Sequence, residues 1–210
     1  MSSRLVMTKL KSSDDNNDEQ IYYSIDDKQS FITISGDLNF TMAGVFFNVL
    51  NKFEAKHIRR PLKIYINSEG GDFFAATKIY DHIRHSPCPI VTIGSGVVFS
   101  GAIIVFLAGD LRWALPNSVF GFHWPIRNTE GEENPDETKL AAEWHKSFFE
   151  SIMDIAQERT KIYNRMLLRE LFKTAKIFDA QTAVKYGVAH QVIEPVKKQL
   201  PRNWKKFTKP

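Results

Sequence analysis

The chain has 210 residues, of which 43% are hydrophobic and 25% charged, with a formal net charge of +4. That is enough chain for one sizeable core and nothing in it asks for a second domain; its single cysteine, Cys88, rules out an intrachain disulfide framework. The longest apolar run, Gly101 to Gly109, is far shorter than a membrane span, and the opening Met1 to Met7 has no apolar core of the kind a secretory signal needs, so a cytoplasmic protein is expected.

Residues 1–20 are polar and turn acidic at Asp14-Asp15-Asn16-Asn17-Asp18-Glu19, which reads as a flexible arm. Short apolar strands are then expected at Phe31–Ile34, Ile64–Ile66 and Ile90–Ile93, alternating with helical patterns around 41–55 and 73–85. That alternation argues for repeated βα units and an α/β fold. His82 and His85, on the second helix, read as surface residues, and Cys88, enclosed by Pro87 and Pro89, as structural.

Ser100 opens the apolar segment Gly101-Ala102-Ile103-Ile104-Val105-Phe106-Leu107-Ala108. On spacing alone a serine there is an N-cap, His123 in its strand-like run is a hydrogen-bonded structural residue, and Gly70-Gly71 is a turn. The same three features also fit acyl transfer. A serine hydroxyl becomes a good nucleophile when a histidine takes its proton. The backbone amide of Gly101 and an amide of the Gly70-Gly71 loop would serve to hold the oxyanion that follows, since glycine lets main chain approach a substrate closely.

Further along, Asn134-Pro135-Asp136-Glu137 announces a long helix at about 136–158: Asn caps, Pro fits the first position and acids suit the positive end. Leu140, Trp144, Phe148, Ile152 and Ala156 recur along it, flanked by Ala141, Phe149 and Met153. At about 33 Å for about 22 residues, it is longer than covering a small sheet requires. Core packing and an oligomer interface are both open readings of that stripe. Asp179, just before an amphipathic turn, reads as an N-cap and Glu170 as a solvated charge. Basic residues crowd 196–210 (Lys197, Lys198, Arg202, Lys205, Lys206, Lys209), interleaved with Trp204 and Phe207. With no basic stripe elsewhere, this is a solvated or partner-contacting tail and nucleic acid is not the expected ligand. The six histidines have no metal-ligand spacing and no phosphate-binding glycine loop appears, so neither metal nor cofactor is expected.

Taken together and in order, Ile64-Tyr65-Ile66-Asn67-Ser68-Glu69-Gly70-Gly71, Ile79-Tyr80-Asp81, Gly96 to Ala102, Ala114-Leu115-Pro116-Asn117-Ser118 and His123-Trp124-Pro125 resemble the proteolytic subunit of the Clp protease, from about Phe31 to about Ile193. The resemblance implies a ClpP/crotonase-type spiral of βα units over 21–195 with a protruding handle helix. It further implies a serine endopeptidase acting on unfolded polypeptide with an ATP-dependent AAA+ unfoldase as partner, and a homo-oligomer of two stacked seven-membered rings that meet through the handle. It places the nucleophile on Ser100, the base on His123 and the oxyanion amides on Gly71 and Gly101, while the arm at 1–20 would line the axial entrance.

The sequence departs from the family in three places. Gly101 stands where the family usually has Met, and the turn Gly109-Asp110-Leu111-Arg112 is about two residues short. Anchoring on Tyr186-Gly187 puts Ala175 where the third triad member, an aspartate, should be; Asp179 lies four residues on, about 13 Å in an extended chain. Alternatives from other classes are therefore a catalytically impaired structural subunit of a mixed ring and a crotonase-like acyl-CoA enzyme, against which Ser100 and His123 both speak. A viral capsid-maturation protease on the same fold would share these residues.

Overall fold

The computed structural model describes residues 6–9, 20–24, 30–57, 59–123 and 135–195. They form the α/β architecture of repeated βα units expected from the sequence. Three βα units follow one another: β3 (Phe31–Ser35), α1 (Phe40–His57), β4 (Leu62–Ser68), α2 (Phe73–Arg84), β5 (Ile90–Phe99), α3 (Gly101–Leu107) and β6 (Leu111–Ala114). Strands β3 to β6 pair in parallel in sequence order, and β9 (Gln191–Val192) continues the sheet beyond β6. On the other edge β1 (Val6–Lys9) and β2 (Gln20–Ser24) add antiparallel strands. Part of the stretch read as an arm is thus sheet, and the boundary drawn at residue 20 falls inside a strand. The remainder of that arm, Trp124 to Asn134 and the basic tail at 196–210 lie outside the described residues.

Strand β5 positions the site. It is ten residues long, more than twice the expected Ile90–Ile93, because it serves two neighbours in turn. Val91–Gly94 pair with β6, while Val97–Phe99 pair with β7 (Val119–Gly121), which in turn pairs antiparallel with β8 (Ile177–Asp179). Between the halves the register against β4 shifts. Gly96 sits there at φ 103°, with a side chain excluded by Asn67, whose Oδ1 accepts the Val97 N–H at 3.1 Å. The bulge swings the end of β5 toward β7. Helix α3, which follows, is buried on every side, as its uninterrupted apolar sequence requires.

Helix α4 (Pro135–Arg159) has the expected length, but its apolar stripe divides. Phe149, Ile152, Met153 and Ala156 are buried in the chain's own core, and Phe148 packs edge-on against Phe73 with ring centroids 4.1 Å apart. For that half, core packing is the correct reading and an interface is not. Trp144 is 68% exposed. The base of α4 is tied to α5 (Arg165–Lys173) by Glu150, which pairs with Arg165 and Arg169 at 2.6 Å each, and by Asp154 with Arg165 at 2.7 Å.

Beyond α3 the fold closes around Arg112, which is buried without a carboxylate partner among the described residues. Its guanidinium donates to the carbonyls of Val188 (2.8 Å), Arg159 (2.8 Å), Gly187 (3.1 Å) and Gly109 (3.4 Å), joining β6 to the ends of α4 and α6 (Ala180–Lys185). Burial, with Arg159 and Arg84 nearby, pulls its pKa down to about 10, so it stays charged at neutral pH. Its backbone N–H donates to Nδ1 of His190 at 3.0 Å, which requires that nitrogen to be unprotonated. Burial first, then Arg112, Arg159 and Lys161, hold the His190 pKa below its ordinary value.

A histidine whose folded pKa is depressed binds its proton less readily folded than unfolded, so stability is full above the unfolded value of about 6.5 and declines as pH falls through it. The urea midpoint is expected to drop between about pH 7.5 and 5.5. His190→Asn, whose side-chain oxygen replaces Nδ1 as acceptor, should flatten that slope; a slope unchanged in the variant would assign it to His82, which burial and Lys78 shift the same way.

Candidate active site

Ser100 stands between the end of β5 and the first residue of α3, with φ 52° and ψ −128°. A non-glycine residue is strained there, at about 1–3 kcal/mol. The conformation is held by main chain: the Ser100 N–H donates to the Gly121 carbonyl (3.2 Å) and its carbonyl accepts the Ile103 N–H (3.0 Å). Ser100 occupies the N-cap position, yet its hydroxyl makes no capping bond. The N-cap reading is thus right in place and wrong in chemistry. The turn presents the hydroxyl and does not spend it on the helix.

The Gly70-Gly71 loop lies directly against this turn. A Cβ built on Gly70 would meet the Ser100 Cβ at 2.5 Å and the Gly101 nitrogen at 3.0 Å, so only glycine fits. Gly71, at φ 132°, forms a parallel bridge with Leu38 through its neighbours' groups: the Leu38 N–H donates to Gly70 O and the Asp72 N–H to Leu38 O, each at 2.6 Å. In that pattern Gly71's own N–H faces away from Leu38. Ser68 pins the loop, its buried Oγ accepting the Gly70 N–H at 3.0 Å. The sequence reading passed over Ser68, although a serine two residues before a glycine is a legible turn signal. Asp72 then caps α2 by accepting the Ala75 N–H at 2.8 Å. The Gly101 departure has a packing cause: a Cβ there would lie 3.0 Å from the Cβ of Ala76 on α2.

His123 follows β7 by two residues. Because Phe99 pairs with Gly121 in parallel register, Ser100 and His123 leave the sheet at the same end of adjacent strands. Ala175, on which the resemblance places the third triad position, sits at φ 49° just past α5. The Ala175 N–H donates to Phe172 O (3.3 Å) and the Lys176 N–H to Leu171 O (3.1 Å), the paired bonds of a left-handed helix stop. Ala175 and His123 line one cavity of about 450 Å³.

Asp179 is elsewhere. It pairs with Val119, at the opposite end of β7 from His123, and caps α6 by accepting the Thr182 N–H at 2.8 Å, a bond that holds its carboxyl below the usual range. As a substitute triad acid it is therefore set aside, while its reading as an N-cap is the observed one. Glu170 is exposed on α5. His85 donates its Nδ1–H to the Asp81 carbonyl (2.8 Å), and His82 packs tilted against Phe47 with ring centroids 4.3 Å apart. Cys88 is buried. Among the described residues no cluster suited to a metal ion and no helix long and apolar enough to cross a membrane is found.

Comparison with known proteins adds the family. A curated proteolytic subunit of the ATP-dependent Clp protease from Ligilactobacillus salivarius is 30% identical over 177 residues, covering 81% of this chain and 86% of its own length. Proteolytic subunit 2 from Borreliella burgdorferi is 27% identical over 175 residues, covering 80% and 84%. In fold, the chain matches a ClpP1 mutant from Listeria monocytogenes with a TM-score of 0.71 at 24% identity, covering 79% of this chain and 91% of that one. The Clp protease family model matches residues 13–196, and with that span on the fold just described, the chain belongs to the Clp protease family.

Proposed function

We propose that this chain is an active, cytoplasmic serine endopeptidase subunit of a ring-shaped compartmentalised protease, cleaving unfolded polypeptide passed to it by an ATP-dependent unfoldase. Membership of the Clp family implies a serine-type peptidase and a ring-forming oligomer in general terms. The single observation that carries catalysis to this chain is Ser100: a strained residue whose hydroxyl caps nothing, facing a glycine loop built to approach it.

In this reading His123 takes the Ser100 hydroxyl proton as Oγ bonds to the scissile carbonyl carbon. The carbonyl oxygen gains the negative charge and is held by the N–H groups of Gly71 and Gly101, the latter the first residue of α3 and so without an acceptor inside its own helix. The intermediate collapses with His123 returning the proton to the departing amine, and water releases the acyl group by the same steps. ATP would be used by the partner. Ser100→Ala is expected to abolish fluorophosphonate labelling and peptide cleavage with the assembly intact; equal cleavage by variant and parent would end the hydrolase reading.

Ala175 favours the second reading, a structural subunit of a mixed ring. Loss of the acid lowers serine-protease turnover by about four orders of magnitude while leaving residual catalysis from the oxyanion hole and binding. Ala175→Asp is expected to raise cleavage of a small fluorogenic peptide by about tenfold or more, short of the full triad effect because the surroundings are not shaped around a carboxylate. The left-handed backbone there suits Asp better than Ala, so the fold should tolerate the change. No gain with the oligomer intact would mean that His123 is served from another position.

Assembly is assigned to the stretch of α4 around the exposed Trp144. Trp144→Asp places a charge where a partner would bury an indole, at a desolvation cost the pair cannot recover, and light scattering should then report smaller species. An unchanged mass would remove Trp144 from the interface.

A further inference from the structure

At the end of α3 far from Ser100, three arginines converge on the last carbonyls of the helix. Arg84 donates to Ala108 O (3.4 Å), Arg159 to Leu107 O (3.0 Å) and Gly109 O (2.9 Å), and Arg112 to Gly109 O (3.4 Å). Carbonyls hold the guanidiniums in position but carry no net charge to offset theirs. Asp110, the carboxylate beside them, is already bound by Arg84 (3.4 Å) and by the Ile90 N–H (2.8 Å).

Arg112 and Arg159 line a cavity of about 350 Å³, more than ten times the roughly 30 Å³ share of one water, and its other basic members are Lys161 and His190. Both are positioned by the fold. The Lys161 N–H donates to Tyr186 O at 2.8 Å and its side chain lies across Gly187, where a Cβ would meet the Lys161 Cγ at 2.5 Å. Its ammonium forms no ion pair among the described residues. His190 accepts the Arg112 N–H at Nδ1, so the neutral ring carries its proton on Nε2, and that N–H meets no acceptor among the described residues. Burial first, then Arg112, Arg159 and Lys161, hold the His190 pKa down, and no carboxylate counters them. Asp110 and the exposed Glu158 also line the cavity, but their charges act on Arg159.

With Asp110 spent on Arg84, the lining keeps three fixed cations, Arg112, Arg159 and Lys161, against one free carboxylate, Glu158. The basic groups reach the cavity from the end of α4, from β6 and from the residue before β9. A planar carboxylate offers two oxygens and one charge to such a set. A tetrahedral dianion offers acceptors in every direction and a charge that matches the excess.

We propose that this cavity binds a doubly charged tetrahedral oxyanion, held by the Lys161 ammonium, the Arg159 guanidinium and the Nε2–H of His190. The inference does not depend on the hydrolase reading of Ser100. The same group arrives either as inorganic phosphate or as the phosphoryl end of a phosphomonoester. Binding joins the end of α4 to the start of β9, so it stabilises the folded chain in proportion to occupancy.

Calorimetric titration of the full-length protein with inorganic phosphate tests this at about pH 8, where His190 is neutral, with chloride adjusted to hold ionic strength and therefore screening constant. Saturable binding at one site per chain is expected, with a rise in melting temperature that follows it. Lys161→Met keeps the Cγ that covers Gly187 and removes the ammonium, and should weaken binding about tenfold or more, as expected for loss of a hydrogen bond to a charged group. His190→Asn keeps an acceptor for the Arg112 N–H but ends short of the Nε2 position, and should weaken it as well. Lys52→Met, which removes an exposed lysine of α1, should leave the affinity unchanged. Glycerol 3-phosphate forms the second arm: tighter binding than phosphate assigns a phosphomonoester, weaker binding the free ion. Absence of saturable binding by either probe, an equal effect of Lys161→Met and Lys52→Met, or acetate binding as well as phosphate overturns the site.

Discussion

The constraint on which the rest of this structure depends is the burial of α3. Its residues Gly101 to Leu107 are all inside, packed between α2, α4 and the sheet. Fully burying a Val, Leu, Ile or Phe side chain contributes roughly 1.5–3 kcal/mol, and α3 has five of them in Ile103, Ile104, Val105, Phe106 and Leu107. The strain of Ser100 is about 1–3 kcal/mol, so the helix can hold its first turn at an unfavourable φ and keep most of its gain. The direction of that turn is then not free. Strand β5 enters from the bulge at Gly96, α3 leaves into the core, and Ser100 is the hinge between two bodies that cannot shift. Gly70, Gly71 and Gly101 are small because backbone, Leu38 and Ala76 already occupy the space a side chain would take.

Much of this was legible in the sequence because it is written in short-range pattern. Apolar runs at 31–34, 64–66 and 90–93 with helical spacing between them give the βα repeat, and a polar residue heading a wholly apolar helix marks Ser100. What stayed hidden depends on distant partners. Nothing local says that β5 continues through Gly94-Ser95-Gly96 to Phe99, because glycine-rich sequence ordinarily ends a strand; it continues because β7 takes over as neighbour where β6 stops. The stripe on α4 reads as one face in helical projection, but among its described side chains the chain's own core covers Phe148 and those beyond it and leaves Trp144 exposed. Periodicity gives the angle of a face and not which part of its length meets which neighbour.

Arg112 shows the same limit in another form. A basic residue in the short turn after α3 looks like surface charge. It instead ties together β6, the end of α4 and the loop after α6 through four carbonyls at the ends of their elements, one of which, Gly109 O, it shares with the Arg159 guanidinium. A guanidinium suits that task better than an ammonium, since its planar fork reaches several acceptors at fixed angles. The cost of removing it from water appears in the lowered pKa, and the cost of removing the side chain altogether would be the loss of the donor to the Val188, Arg159 and Gly187 carbonyls.

The position of Ala175 turns on backbone as much as on catalysis. A residue closing a helix with positive φ is preferred in the order Gly, then Asn and Asp, because an L side chain with a Cβ clashes there at a cost of roughly 1–2 kcal/mol unless a short polar group compensates. Local structure at this stop therefore asks for the kind of residue that the family resemblance expects, and alanine satisfies neither demand. Its methyl is not required by packing, because it borders an open cavity and not a filled one. The substitution is thus explained by nothing in the helix stop and nothing in the core.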